Sequence, residues 1–463
     1  MKFKRLIVVL SMAFVTLSHS FFSHAAKVVQ VPATELYSVY YQNVQSNAVK
    51  DWPTGPQIFS EAGIVMDVDT GAILYAKNID NPHYPASITK ILTALVALEN
   101  SELTDTVTVT REDFSFLEYG DNHVALKAGE QITMEDALYA TLLASGNDAA
   151  HAVGSNCAGG YDNFLALMNQ KAQELGCTNS NFTNTHGLHD KEHYTSARDM
   201  ALIGAAAFQN EEFMKITGTI QYTLSETNLT NEKRYFWQHH KMMLTGTSQY
   251  YQYCIGGKTG YTDDALNTLV TFASKDGMNL VAVVLRTHGT GNSYVDTKAM
   301  LNYAFGNFEK HLITSDIIND KRLESIEPNS YITLPKTLTL TDMKVEIQEP
   351  TKLGEMEGEI VCSYENMPLG KFGMTITEEH YNKKHGIEIA NKDDQPKKEK
   401  NSVAQVIVKV VLIILVILIV LYLFLVCYAI YKRRQRRRRR AELRRKKRER
   451  EYRRHMRQMY DED

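Results

Sequence analysis

The sequence predicts an α/β (α+β) fold: a mainly antiparallel sheet flanked by helices, then a small all-β domain and a C-terminal transmembrane helix. Three observations carry this expectation. Strand-like runs open and close the region 58–312, with helical periodicity between them. After about Leu312 short alternating runs replace the helical pattern. Further on, Val410–Tyr431 is a stretch of 22 residues without a charge, long enough as a helix to span the ~30 Å hydrocarbon core.

The elements follow in chain order. Lys2, Lys4 and Arg5 precede an apolar stretch, Leu6–Leu17, and Ser23-His24-Ala25 places small residues before Ala26. That order is a secretory signal, residues 1–25. Residues 26–57 are polar and weakly patterned, a lead-in segment. Gly63–Ala76 reads as a hairpin turning at Asp69-Thr70-Gly71. Pro85–Asn100 reads as a helix with Ile88, Ile91, Leu92 and Leu95 on one stripe, and Met134–Val153 as a second helix opened by Thr133. Ser196 caps a third, running to Phe208. Leu266–Ala273 and Leu280–Leu285 form a second hairpin through Lys275-Asp276-Gly277, and Tyr294–Phe308 is helical. Residues 313–386 carry the expected strands of the β domain: 330–335, 337–343, 345–347, 358–363 and 371–376. Residues 387–405 are a polar linker, 406–431 the membrane span and 432–463 a basic tail.

Charge separates two environments. The formal net charge is −3, yet Lys432–Asp463 holds 17 Lys/Arg against 6 Asp/Glu, a net of +11 that leaves −14 for the rest. Excess Lys/Arg marks the cytoplasmic side of a span, so the acidic body is expected outside and the tail inside. The tail reads as a stop-transfer anchor, with contact to anionic lipid as a further role and no nucleic-acid partner expected. The five cysteines show no pairing rhythm; a bridge such as Cys157–Cys177 is not deducible from spacing.

Three short motifs carry chemistry together. In Ser87-Ile88-Thr89-Lys90 a spacing of three puts hydroxyl and amine on one helix face. A serine needs a base to become a nucleophile. Lysine can serve once burial or a nearby positive charge lowers its pKa from about 10.4; a second lysine would supply that charge. In Ser145-Gly146-Asn147 a hydroxyl and an amide can relay a proton and hold a substrate amide. In Lys258-Thr259-Gly260, on a strand, an amine and a hydroxyl suit a small carboxylate, and Gly260 lets backbone approach closely. His186, His189 and His193 have metal-like spacing, but Gly187 and Asp190 argue for a loop. No cofactor is expected.

Ser-x-x-Lys, a Ser-x-Asn motif and Lys-Thr-Gly in this order are a signature of penicillin-interacting serine enzymes. Pro85-Ala-Ser-Ile-Thr-Lys90, Ser145-Gly-Asn-Asp-Ala-Ala150, Thr185-His-Gly-Leu188, His193-Tyr-Thr-Ser-Ala-Arg-Asp199 and Lys258-Thr-Gly-Tyr-Thr262 resemble the low-molecular-mass penicillin-binding proteins, the D-alanyl-D-alanine carboxypeptidases of the S11 type. The resemblance spans about Ile58–Leu312 and implies a penicillin-binding/β-lactamase-like domain. It implies Ser87 as nucleophile, Lys90 as base and Ser145 as proton relay. Asn147, Lys258, Thr259, Gly260 and Tyr261 would bind substrate, with the N–H groups of Ser87 and Tyr261 as oxyanion hole. The implied partners are a peptidoglycan stem peptide ending in D-Ala-D-Ala and β-lactams. Gly146 stands where class A β-lactamases carry Asp, which leans toward the carboxypeptidases. Two readings stay open beside it: a β-lactamase on the same fold, and a non-catalytic wall-binding scaffold. An endopeptidase or transpeptidase is not separated by sequence.

Overall fold

The computed structural model describes residues 36–387, apart from positions 290 and 353. Its centre is a five-stranded, wholly antiparallel sheet of β1 (Ser60–Asp67), β2 (Ile73–Lys77), β3 (Cys254–Thr262), β4 (Leu266–Lys275) and β5 (Met278–Thr287), in the order β2-β1-β5-β4-β3. Every residue of β1 and β2 is buried, because helices cover both faces. Gly204, on the helix Ala197–Phe208, approaches Val281 and Phe272 on one face. The helix Asn292–Asn307 covers the other, where Met300 reaches Gly63 and the Tyr303 ring meets Tyr75. Both predicted hairpins are present. The first turns where Asp67 Oδ1 accepts the Asp69 and Thr70 N–H groups and Gly71 takes a positive φ of 74°.

The helix Lys90–Asn100 is buried along Lys90–Ala97, so its circumference there is apolar core apart from the Lys90 amine and the Thr93 hydroxyl, which donates to the Thr185 carbonyl. The expected single helix over Met134–Val153 is two helices, Met134–Leu142 and Asn147–Asn156. The break falls at Ser145, whose φ of 58° is left-handed and cannot continue a helix. The first of the two is opened by a capping box between Thr133 and Asp136.

The lead-in is not a loose segment where it is described. Val39, Val44, Val49 and Trp52 are buried. Trp52 donates from Nε1 to the Leu74 carbonyl at 3.2 Å, and its ring lies 5.4 Å from that of Phe308. The Lys77 amine is capped by the carbonyls of Val39 and Ile58 at 2.7 and 2.9 Å; burial pushes its pKa down to about 8. These four apolar residues follow neither strand nor helix periodicity, which hid them in the sequence.

Beyond the catalytic-motif region, Phe308–Leu312 pairs with Tyr331–Pro335. A four-stranded antiparallel sheet orders Leu323–Ile326, Met367–Ile376, Glu357–Tyr364 and Lys344–Gln348. The expected strand over 337–343 is instead a capped 3-10 turn, Leu340–Asp342, because Asp342 accepts both the N–H and the hydroxyl of Thr339. Cys157 and Cys177 are free. Among the described residues no helix is long and apolar enough to cross a membrane. The expected signal (1–25), span (406–431) and basic tail (432–463), with Cys427, lie outside the described residues.

Replacing Trp52 by alanine should lower unfolding stability by about 3–5 kcal/mol, the range for large aromatic truncations in a core. Denaturant unfolding of the purified protein measures this; an unchanged midpoint would mean that the lead-in does not pack.

Candidate active site

The three motifs converge. Ala86–Thr89 is a short 3-10 turn leading into the helix Lys90–Asn100, so Ser87 sits on a turn before the helix rather than within it. Lys90 is fully buried, and its Nζ lies 3.0 Å from Ser87 Oγ, 2.7 Å from Asn147 Oδ1 and 2.6 Å from the His186 carbonyl. Burial, and then the Lys258 charge, hold its pKa well below that of a free lysine. Lys258 Nζ donates to Ser145 Oγ at 2.9 Å and to the Thr259 carbonyl at 2.8 Å. Burial lowers its pKa to about 7. Ser145 thus stands on Lys258 and Asn147 on Lys90, two residues apart on the turn that ends one helix and starts the next.

The Lys90 partners decide what the amine can do. Asn147 Oδ1 and the His186 carbonyl only accept hydrogen bonds. A neutral amine has two N–H groups, which satisfy these two acceptors. Its lone pair is then left for the Ser87 hydroxyl proton.

Backbone conformations that most residues avoid hold Ser87 forward. Ala86 has a φ of 52° and Ser145 one of 58°, each unfavourable for a residue with a Cβ. Around Ala86 runs a hydrogen-bond chain. His193 Nδ1 accepts the Thr183 N–H at 3.0 Å, so Nε2 carries the proton and donates to Thr89 Oγ1 at 2.8 Å; that hydroxyl donates to the Ala86 carbonyl at 2.9 Å. Burial keeps His193 neutral, its pKa pushed down to about 3. Two glycines let backbone close in. A Cβ on Gly187 (φ 85°) would lie 1.9 Å from the Ala86 carbonyl oxygen, and one on Gly260 would lie 2.9 Å from the Ser87 nitrogen and 2.3 Å from Thr268 Oγ1. Thr268 donates to the Pro85 carbonyl at 2.8 Å. Strand β3, at the edge of the sheet, therefore lies directly beside the nucleophile turn.

Gly260 is opposite Thr268 in the β3–β4 ladder and Tyr261 opposite Asn267; the Tyr261 side chain is exposed and donates to Asp263 at 3.0 Å. Thr259 is half-buried between Lys258 and Gly260. A cleft of about 850 Å³ opens from Ser87 and Asn147 past Tyr261 and His186.

Sequence reasoning passed over several supports. Asp148, one residue after Asn147, accepts the N–H groups of Val124 and Leu126 at 3.0 and 3.1 Å and so clasps the loop after Asp121 over the site. His193 and Thr268 brace the nucleophile turn. His186, His189 and His193 do not share a face: His186 Nδ1 accepts the Leu188 N–H, His189 meets Asp264, and His193 meets Thr89. For Asp148, His186 and His193 the only available signal was that they fall inside the quoted motif segments; Thr268 and His189 lie outside them.

The segment that holds these residues is similar to known proteins. A family profile described as D-alanyl-D-alanine carboxypeptidase matches residues 48–289. The D-alanyl-D-alanine carboxypeptidase DacF of Bacillus subtilis is 30% identical over 343 residues, which is 69% of this chain and 85% of that protein. DacA of Haemophilus influenzae is 30% identical over 350 residues, 70% and 86% of the two chains. Among solved structures, penicillin binding protein 5 from Haemophilus influenzae superposes with a TM-score of 0.56 at 28% identity, over 70% of this chain and 98% of that one. The Streptomyces K15 DD-transpeptidase does so with a TM-score of 0.51 at 28% identity, over 55% and 100%. With Ser87, Lys90, Ser145, Asn147 and Lys258 gathered at one cleft and half of the sequence matching the profile, the chain belongs to the D-alanyl-D-alanine carboxypeptidase family of serine peptidases.

Proposed function

We propose that the protein is a serine-type D-Ala-D-Ala carboxypeptidase that removes the terminal D-Ala of peptidoglycan stem peptides outside the cell membrane, through a Ser87 acyl-enzyme. The observation that carries this reading is the Lys90 amine, buried between Ser87 Oγ and two groups that only accept.

In the reaction, Ser87 Oγ gives its proton to neutral Lys90 and bonds to the carbonyl carbon of the penultimate D-Ala. The N–H groups of Ser87 and Tyr261 receive the developing oxyanion; one such donor is typically worth about 3 kcal/mol. Asn147, its Oδ1 held by Lys90, turns its NH2 to a substrate carbonyl. Lys258 and Thr259 take the terminal carboxylate, and Gly260 lets the peptide lie against β3. The intermediate collapses as the C–N bond breaks, and the proton passes from Lys90 through Ser145 to the departing nitrogen. Water then attacks the ester and frees Ser87. A β-lactam resembles the D-Ala-D-Ala end and acylates the same oxygen. In this reading the span 406–431 anchors the enzyme and the basic tail contacts anionic lipid from the cytoplasmic side.

A second reading keeps the acyl-enzyme and replaces water by an amine acceptor; it is favoured by the likeness to a DD-transpeptidase. Incubation with a tripeptide ending in D-Ala-D-Ala, with and without an amine acceptor, separates the two by product mass.

Ser87→Ala should form no covalent penicillin adduct by mass spectrometry and should lose D-Ala release by a factor on the order of 10³ or more. An adduct on the variant would remove Ser87 from its role.

The pH profile follows from the two amines. Lys90 must be neutral, and its lowered pKa keeps kcat/KM high until pH falls below that value. Lys258 must be cationic to take a carboxylate, so kcat/KM should fall as pH rises through about 7. Lys258→Arg, whose charge persists, should lower the rate but abolish that alkaline fall. An alkaline limb that remains near 7 in the variant would assign it to another group.

A further inference from the structure

Behind the turn that joins β3 to β4 lies a buried charged cluster that the reaction above does not use. Glu61 on β1, Arg286 on β5 and His288 just after it are all buried. Glu61 Oε1 accepts from Arg286 Nε and from His288 Nε2, each at 2.8 Å. Arg286 also donates from Nη1 to the Asp264 carbonyl at 2.5 Å. His83, four residues before Ser87, is close enough for the Glu61 and Arg286 charges to act on its ring. Its ring nitrogens have no hydrogen-bond partner among the described residues. The cluster therefore lies between the segment that leads to Ser87 and the turn that follows Tyr261.

The sheet is irregular here. Ser60 is opposite Thr287 and Ala62 opposite Leu285, so Glu61 and Arg286 are level on neighbouring strands. On the other side of β5, Asn267 is opposite Thr287 and Leu269 opposite Val284, so Thr268 alone faces both Leu285 and Arg286. This is a bulge. It leaves Arg286 with a φ of 48°, unfavourable for a residue with a Cβ. Thr268 is the residue whose hydroxyl holds the Pro85 carbonyl, so the bulge faces the strand position that braces the Ser87 turn.

Stability does not account for this arrangement. A buried ion pair adds little over apolar residues of the same shape, and the Arg286 backbone is itself unfavourable. What the guanidinium holds is a backbone carbonyl three residues beyond Tyr261, in a turn whose Tyr261, Thr262, Asp263 and Asp264 all line the cleft. Thr262 Oγ1 accepts the Ala265 N–H at 3.1 Å, which ties that turn to the end of β3. On the carboxypeptidase reading the Tyr261 N–H is one of the two donors to the oxyanion, and its direction is set by the backbone that Arg286 grips.

We propose that Glu61 and Arg286 are a positioning pair for the oxyanion site, in which the carboxylate aims the guanidinium and the guanidinium fixes the turn after Tyr261. The inference rests on the carboxypeptidase reading and names the groups that hold its oxyanion donor in place. Neither residue touches substrate. Their effect falls on the acylation step and leaves the initial binding of the ligand alone.

The test is acylation of Ser87 by a fluorescent penicillin on the full-length protein in detergent, with the limiting rate separated from the half-saturating concentration. Glu61→Met with Arg286→Met removes both charges at similar volume, so that no buried charge is left alone. Its limiting rate should fall on the order of 10²-fold, the cost of a misplacement of about 1 Å, with the half-saturating concentration unchanged. Arg286→Lys keeps a charge but loses the planar fork, and its limiting rate should fall by less than that of the double variant. Trp52→Ala, which loosens the fold away from the cleft, should keep the wild-type limiting rate and so separates positioning from general loosening. An unchanged limiting rate in the double variant, a change confined to its half-saturating concentration, or an equal loss in Trp52→Ala overturns the positioning role and leaves the carboxypeptidase reading standing. A wild-type protein that forms no adduct and releases no D-Ala overturns that reading and the positioning role with it.

Discussion

The structure depends on keeping an amine dry. Moving the Lys90 ammonium out of water is opposed by several kcal/mol after relaxation, and the protein answers by lowering the amine's affinity for protons rather than by pairing it with a carboxylate. Its immediate neighbours are two acceptors and one hydroxyl. Asp148 is close at hand, yet its oxygens are occupied by the backbone of Val124, Leu126 and Ala149. A direct ion pair to Asp148 would have left Lys90 charged and unable to accept a proton. The acid instead shapes the wall of the site, and the amine stays free to take a proton.

Everything near that amine serves to bring four segments to one point. The Ser87 turn and the break after Leu142 meet there through side chains, and the Thr185–Leu188 loop and the edge strand β3 through close backbone approach at Gly187 and Gly260. Left-handed Ala86 and Ser145 are unfavourable locally and persist because tertiary contacts over-determine them: the His193–Thr89–Ala86 chain, Gly187 and Gly260 at the first, and Asn122 and Lys258 at the second. The unfavourable conformations lie at Ser145 and just before Ser87, whose hydroxyls meet the two lysines.

Much of this was legible in the sequence where period or spacing carries the information. The i, i+3 spacing put Ser87 and Lys90 on one face, alternation marked both hairpins, and the apolar run before Ser145 marked a helix. The helix break at Ser145 was not legible, since Ser-Gly-Asn within an apolar run has no local signal that outweighs helical periodicity. The packing of Val39, Val44, Val49 and Trp52 was hidden because they plug an edge one residue at a time. Thr337–Met343 alternates like a strand, but the Thr339–Asp342 side-chain bonds claim the backbone first. The role of His193 required knowing that it lies against Thr89, which is 104 positions away.

The strand order has a consequence for when chemistry first exists. β1 finds its partner in β5, with Ser60 opposite Thr287, and the Ser87 turn leans on Gly260 and on Thr268, which lies 183 positions beyond the Pro85 it bonds. A nascent chain that has emerged only as far as the helix Ala197–Phe208 holds Ser87 and Lys90 but has neither the sheet's second half nor the lysine that completes the electrostatics. Such long-range pairing slows folding, because loop closure must precede the contacts that reward it. It also makes activity all-or-none: a truncated or half-delivered polypeptide carries the reactive residues without the enclosure that arms them.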